Sequence, residues 1–257
     1  MPGSSNRLRK LAVAAAAACA LTLGLGGCGG GDGGPPLEQV RVLRMNPAAI
    51  VTKQPRRETT VRASLTTPAG PRLPPPMQVP QVGSIAAGAT NAGRLVNGLE
   101  LPGSGPDWVT YDPILHRTPN RAERRWGTDR LLAYLLYVLR DYRLANPGAP
   151  PVVIGDLSRP LGGPFGREFG GLGHVSHQNG LDVDVYYPRL DRRLQPPDSV
   201  AQVDRALAQD LVSRFVGAGA QYAFVGLRVG LGGPAGVVQA IEHHDDHVHV
   251  RIPNWRR

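Results

Sequence analysis

The stretch Gly173-His174-Val175-Ser176-His177-Gln178-Asn179-Gly180-Leu181-Asp182-Val183-Asp184-Val185-Tyr186 changes character at Gly180. Beyond it, apolar and acidic side chains alternate with period two, as they do along a β-strand. Asp182 and Asp184 then occupy one face, and Val183 and Val185 the other. Gly180 permits a tight turn. A histidine before the turn, His177, and an aspartate on the strand, Asp184, can therefore converge on one point.

A second stretch, His243-His244-Asp245-Asp246-His247-Val248-His249-Val250-Arg251-Ile252, follows the same logic. A strand starting at His247 puts His247, His249 and Arg251 on one face and Val248, Val250 and Ile252 in the core. Two imidazoles at i and i+2 are neighbours on a polar surface, so one can bind a metal while the other stands beside it. Six of the seven histidines fall in these two stretches. Histidines with unrelated roles would scatter.

Outward from these strands, Thr128 is an N-cap for a helix over 129–144, with Leu131, Leu132, Leu135, Leu136, Val138 and Leu139 as its apolar face. Asn146-Pro147-Gly148 ends it, and Val152-Val153-Ile154 reads as a buried strand. Residues 161–173 hold six glycines and read as a long loop. Ser199 and Gln202 form a capping box ahead of Val200, Val203, Leu207, Leu211 and Phe215, and that helix stops near Gly217-Ala218-Gly219. Strands are predicted at 222–225 and 247–252. This order predicts an α+β domain, a central antiparallel sheet carrying the histidine site and flanked by helices.

The N-terminal third has another character. Residues 1–27 carry a basic start (Arg7, Arg9, Lys10), a 15-residue apolar run from Leu11 to Leu25, and small residues after it. That is the pattern of a secretory signal, and the run is short for a span of about 20 residues. An uncleaved anchor helix is the competing reading. Leu25-Gly26-Gly27-Cys28 resembles the lipobox of bacterial lipoproteins, which implies a lipidated Cys28 holding the chain to a membrane. An ordinary cleaved signal is the alternative. Residues 28–81 contain ten prolines and no sustained periodicity, so they read as a disordered tether ahead of a folded domain over 82–257.

The net charge of +9 sits mainly on this leader and tether, since residues 82–257 hold 19 basic against 17 acidic side chains. A nucleic-acid-binding domain concentrates charge on its folded part. Aromatics at 5% also leave little for base stacking, so no nucleic-acid partner is expected. Both cysteines, Cys19 and Cys28, precede the folded part. Its metal chemistry therefore rests on nitrogen and oxygen donors.

Two neutral imidazoles and one carboxylate make a three-ligand zinc site with an open position. Zinc lowers the pKa of a bound water by nearly nine units, on the order of 12 kcal/mol toward hydroxide. The residues alone leave three readings: catalytic zinc, a structural or regulatory metal, and histidines that bind nothing.

At the strings 173–184 and 244–251 the sequence resembles the penicillin-insensitive murein endopeptidases, within the group that joins lysostaphin-type peptidases, D-Ala-D-Ala carboxypeptidases and hedgehog signalling domains. Gly83-Ser84-Ile85, Leu101-Pro102, Trp126-Gly127, Gly155-Asp156 and Gly162-Gly163 extend the likeness over roughly residues 82–257. The resemblance implies Zn2+ held by His177, Asp184 and His249. It implies that His247 acts beside the metal as a base or transition-state stabiliser. His174 and His244 match further active-site histidines, one of which assists catalysis or holds a second metal. The implied reaction is hydrolysis of D-alanyl-meso-diaminopimelyl cross-links in peptidoglycan, by an exported protein of the periplasm or cell envelope.

Two departures from the family stand out, the lipobox-like cysteine with its long tether and the lack of cysteines in the domain. On the same scaffold, a D,D- or L,D-carboxypeptidase or a non-catalytic zinc-bearing wall-binding module are the alternatives. Arg251 either meets a substrate carboxylate or is structural. Asp182 either orients a ligand histidine or simply faces outward. Trp126 either lines a groove or packs in the core.

Overall fold

The computed structural model describes residues 78–167 and 175–254. The stretches read as signal and lipobox, nearly all of the stretch read as tether, and His174 lie outside the described residues. In chain order the elements are β1 (Ile85–Ala89), β2 (Ala92–Val96), β3 (Leu99–Glu100), β4 (Trp108–Thr110), β5 (Trp126–Gly127), α1 (Asp129–Ala145), β6 (Val152–Ile154), β7 (Asp182–Tyr186), α2 (Arg205–Gly217), β8 (Tyr222–Gly226), β9 (Val238–Ile241) and β10 (His247–Arg251).

Six strands form one sheet in the order β4-β6-β7-β10-β8-β9. Its four middle strands are antiparallel, but β4 pairs with β6 and β8 with β9 in parallel. The sheet is thus mixed rather than antiparallel throughout. The cause lies in the connections, because α1 carries the chain from β4 back to the same end of the sheet before β6 begins, and same-direction strands need such a crossover.

Alternation sorts the two faces. Val183, Val185, Val248, Val250, Ala223 and Val225 are fully buried in one core with Leu131, Leu135 and Leu139 of α1 and Leu211, Val212 and Phe215 of α2. The opposite face of β7 and β10 carries Asp182, Asp184, His247, His249 and Arg251.

Thr128 caps α1, its hydroxyl accepting from the Leu131 N–H at 3.1 Å. The same residue donates its own N–H to the Gly180 carbonyl at 3.0 Å, which ties the helix start to the turn before β7. Gly180 has φ +74°, and a Cβ there would lie 2.9 Å from Leu95 Cδ1. Only glycine adopts that turn without strain.

The capping box at Ser199 and Gln202 does not form. Asp204 caps α2 instead, accepting from the Leu207 N–H at 3.1 Å, and Val200–Gln202 make a separate 3-10 turn. The Gln202 side chain is engaged elsewhere, accepting from Arg189 Nη1 at 2.6 Å and the Asp198 N–H at 2.7 Å. The end of α2 is a Schellman motif, with the Ala220 N–H on the Phe215 carbonyl and the Gly219 N–H on Val216, both at 3.0 Å.

Candidate metal centre

β7 and β10 lie side by side with His249 opposite Asp184, Arg251 opposite Asp182 and His247 opposite Tyr186. The period-two pattern in both strands therefore stacks two carboxylates against two imidazoles and a guanidinium on one face. His177 arrives from the turn before β7, at φ +70°, a left-handed conformation that non-glycine residues rarely adopt. Its N–H donates to Asp182 Oδ2 at 3.2 Å.

The ring of His177 meets that of His249 at 4.6 Å between centroids, nearly perpendicular. His177 Nε2 lies 3.4 Å from Asp184 Oδ1, and His249 Nδ1 lies 3.1 Å from the same oxygen. All three residues are buried, with one ligand atom of each within 4.8 Å of the others. A tetrahedral ion with bonds of about 2.0–2.1 Å separates its ligand atoms by roughly 3.3–3.4 Å. The spacing and the donor types both fit, so His177, Asp184 and His249 can hold a metal ion.

The electrostatics point the same way. Burial alone would raise Asp184, but the neighbouring His177 and His247 hold its carboxyl well below the usual range. Asp182, likewise opposed by burial, is kept low by its bonds to His249 and by the charges of His177 and Arg251. Both carboxylates are held in the ionised form, with Arg251 and the neighbouring imidazoles as their counter-charge, and a cation that displaces the imidazole protons can take that place. For His249, burial would lower the imidazole, yet hydrogen bonds to Asp182 and Asp184 raise it to about 9.

His247 stands beside this cluster, its Nε2 3.6 Å from Asp184 Oδ1. Its Nδ1 meets Asp246 Oδ1 at 2.7 Å. Burial lowers His247, but Asp184 and then Asp246 outweigh it and raise the imidazole overall. The His244 ring is 4.7 Å from that of His247, and its Nδ1 meets the Glu242 carbonyl at 2.6 Å. Burial, followed by the charge of His247, lowers His244.

These residues line a cleft of about 550 Å³, with Tyr186, Phe224 and Ile241 as its apolar wall. Trp126 is not part of that wall. It lies in β5, bridged to Ser158. Two residues at the cleft carried no role in the sequence reading. Arg124 and Asp156 are 1% exposed and form a buried ion pair, with Arg124 Nε on Asp156 Oδ1 at 2.6 Å. Arg124 also stacks over Phe165, whose ring meets His177 edge-on. Gly155-Asp156 was legible as a family word, but nothing local to Arg121–Arg125 singles out Arg124.

A family model described as penicillin-insensitive murein endopeptidase matches residues 86–216. The match contains His177 and Asp184 and ends before β10. Curated relatives named penicillin-insensitive murein endopeptidase, from Escherichia coli O1:K1 / APEC, strain SMS-3-5 / SECEC and O45:K1 strain S88 / ExPEC, are each 32% identical over 134 residues. Those alignments cover 51% of this chain and 43% of each relative, so the chain spans less than half the length of the curated relatives it matches. With the matched region taking in half of the sequence, the chain belongs to the penicillin-insensitive murein endopeptidase family.

Proposed function

We propose that this protein is a zinc-dependent peptidoglycan endopeptidase that hydrolyses D-alanyl-meso-diaminopimelyl cross-links. The observation that carries the reading is the convergence of His177 Nε2, Asp184 Oδ1 and His249 Nδ1 at the base of a cleft, with His247 alongside. Family membership and the name that the relatives carry support the substrate class. Three nitrogen and oxygen donors that leave one position open suit catalytic zinc.

Zinc held there would supply Lewis acidity at a carbonyl oxygen and would lower the pKa of a water to about 7. The chain's own residues do the rest. Asp246 anchors His247 through Nδ1, which leaves Nε2 facing the centre. That nitrogen takes up a proton as the water attacks the D-alanyl carbonyl and returns it to the departing amine. Once protonated at Nε2, the His247 ring would also offer a hydrogen to the negative charge developing on the carbonyl oxygen. His244, on the same wall, is the assisting imidazole. His174 joins the site on family resemblance alone.

The cleft runs into a hollow of about 700 Å³ that shares Pro113, Tyr186, His243 and Asp246 with it. The hollow gives a substrate chain room to extend from the metal cluster on that side. The choice of endopeptidase over carboxypeptidase rests on family membership.

The residue ranges complete the proposal: signal over 1–27, tether over 28–81, peptidase domain over 82–257, and a lipid on Cys28 holding the enzyme to an envelope membrane. Among the described residues, no helix is long and apolar enough to cross a membrane. Cys28→Ser is then expected to release the protein from the membrane fraction.

The test of activity is a digest of purified cross-linked peptidoglycan followed by mass spectrometry of the muropeptides. Conversion of dimers to monomers, abolished by chelation and unaffected by penicillin, is the expected result. A zinc-water enzyme offers no serine to acylate. Hydrolysis that persists after metal stripping refutes the zinc reading. Loss of terminal D-alanine with dimers intact moves the assignment to a carboxypeptidase, and wall binding without product moves it to a binding module.

A further inference from the structure

We propose that Asp182 is the positioning residue of the metal centre and that Arg251 is its clamp. The inference rests on the reading of His177, Asp184 and His249 as metal ligands, and adds what holds them in place.

Asp182 is fully buried, and its two oxygens reach three residues on two segments of chain, β10 and the turn before β7. Oδ1 accepts from His249 Nε2 at 2.9 Å and from Arg251 Nε at 2.6 Å. Oδ2 accepts from the His177 N–H at 3.2 Å. One carboxylate thus orients one ligand through its ring and the other through its backbone.

The ring contact decides a tautomer. A carboxylate facing Nε2 keeps the hydrogen on that nitrogen, so the lone pair of His249 lies on Nδ1, the atom 3.1 Å from Asp184 Oδ1. The backbone contact addresses strain. His177 is held at φ +70°, where a non-glycine residue persists only if its surroundings fix it, and Asp182 Oδ2 provides that fixation.

Arg251 supports the arrangement. Standing opposite Asp182 in the β7–β10 register, it donates Nε to the same oxygen that His249 uses. A carboxylate with a guanidinium on one side can serve the imidazole on the other without leaving a bare buried charge. The guanidinium also lies 6.0 Å from the Tyr222 ring, at the edge of the cleft that Arg251 helps to line.

The experiment measures zinc affinity of the full chain by competition with a chromophoric chelator, together with the visible absorption of the cobalt-substituted protein. Asp182→Asn is expected to weaken zinc binding about 10–100-fold and to shift the cobalt bands. Val250→Ala, on the same strand but on the opposite, fully buried face, is the control. It lowers stability while leaving affinity and cobalt spectrum as in the wild type. If Asp182→Asn does not fold, Arg251→Gln is measured instead, with a severalfold loss of affinity expected and recovery in Arg251→Lys smaller than full. The proposal is overturned if Asp182→Asn or its substitute binds zinc within twofold of wild type with an unaltered spectrum, or if Val250→Ala loses as much. A wild type that takes up no zinc overturns the metal reading itself, a failure distinct from a wild type that binds and variants that bind equally.

Discussion

Asp184 and His249 stand directly opposite each other across the β7–β10 pair, with Oδ1 and Nδ1 3.1 Å apart. Neighbouring strands set that separation, so the carboxylate and the imidazole are held by the backbone ladder rather than by flexible loops. Removing either is therefore expected to remove the metal without unravelling the sheet. In His249→Ala and Asp184→Asn, zinc content by mass spectrometry should fall from about one per chain to below roughly 0.1, and peptidoglycan hydrolysis at least about a hundredfold. Full zinc occupancy in either variant would remove it from the ligand set.

His247 separates binding from turnover. Its ring neighbours the ligand cluster while bonding Asp246. His247→Ala should keep zinc at wild-type stoichiometry and lose about 10²–10⁴ in kcat. Asp246→Asn, which weakens only the anchor on Nδ1, should lose less than His247→Ala. Equal losses of zinc and rate in His247→Ala would make His247 a ligand instead.

The metal-free protein should depend on pH through His249. Its folded pKa of about 9 lies above the value near 6.5 expected for the unfolded chain. A raised pKa stabilises the fold fully below about 6.5, and that contribution is lost as pH rises through about 9. Thermal unfolding of the chelated protein should therefore soften across this window. Zinc displaces the same proton, so zinc affinity should climb across the same range. A melting temperature flat from pH 6 to 9 without zinc contradicts this.

Gly180 is the hinge of the ligand loop. A methyl group there would strain a backbone at φ +74° and crowd Leu95 and the Thr128 N–H. Gly180→Ala should destabilise by about 1–3 kcal/mol in denaturant unfolding and also weaken zinc binding, because the turn positions His177. By contrast Leu135→Ala, deep in the α1 core, should cost about 2–5 kcal/mol with zinc affinity preserved.

The candidate site residues were legible where their spacing matched a regular period. Asp182 to Tyr186 and His247 to Arg251 alternate cleanly, so the strands and their faces could be read in one dimension, while the choice of His249 rather than His247 as the third ligand came from the family resemblance. The helix from Asp129 was equally legible from its cap and its apolar stripe.

The β1–β2 hairpin was not. Ala87, Gly88, Ala92 and Gly93 make its strands, and small residues carry neither β-propensity nor alternation. β4 and β9 are edge strands too short to show a period, which is why the sheet read as antiparallel. Gln202 failed as a cap partner because Arg189, distant in sequence, holds its side chain. The Arg124–Asp156 pair is of the same kind, a contact between residues 32 apart that no local pattern announces.

β10 occupies an interior place in the sheet, between β7 and β8, yet it follows both of them in the chain. His247 and His249 therefore reach His177 and Asp184 only when β10 enters between two strands made before it, so the candidate site is complete no earlier than the sheet itself.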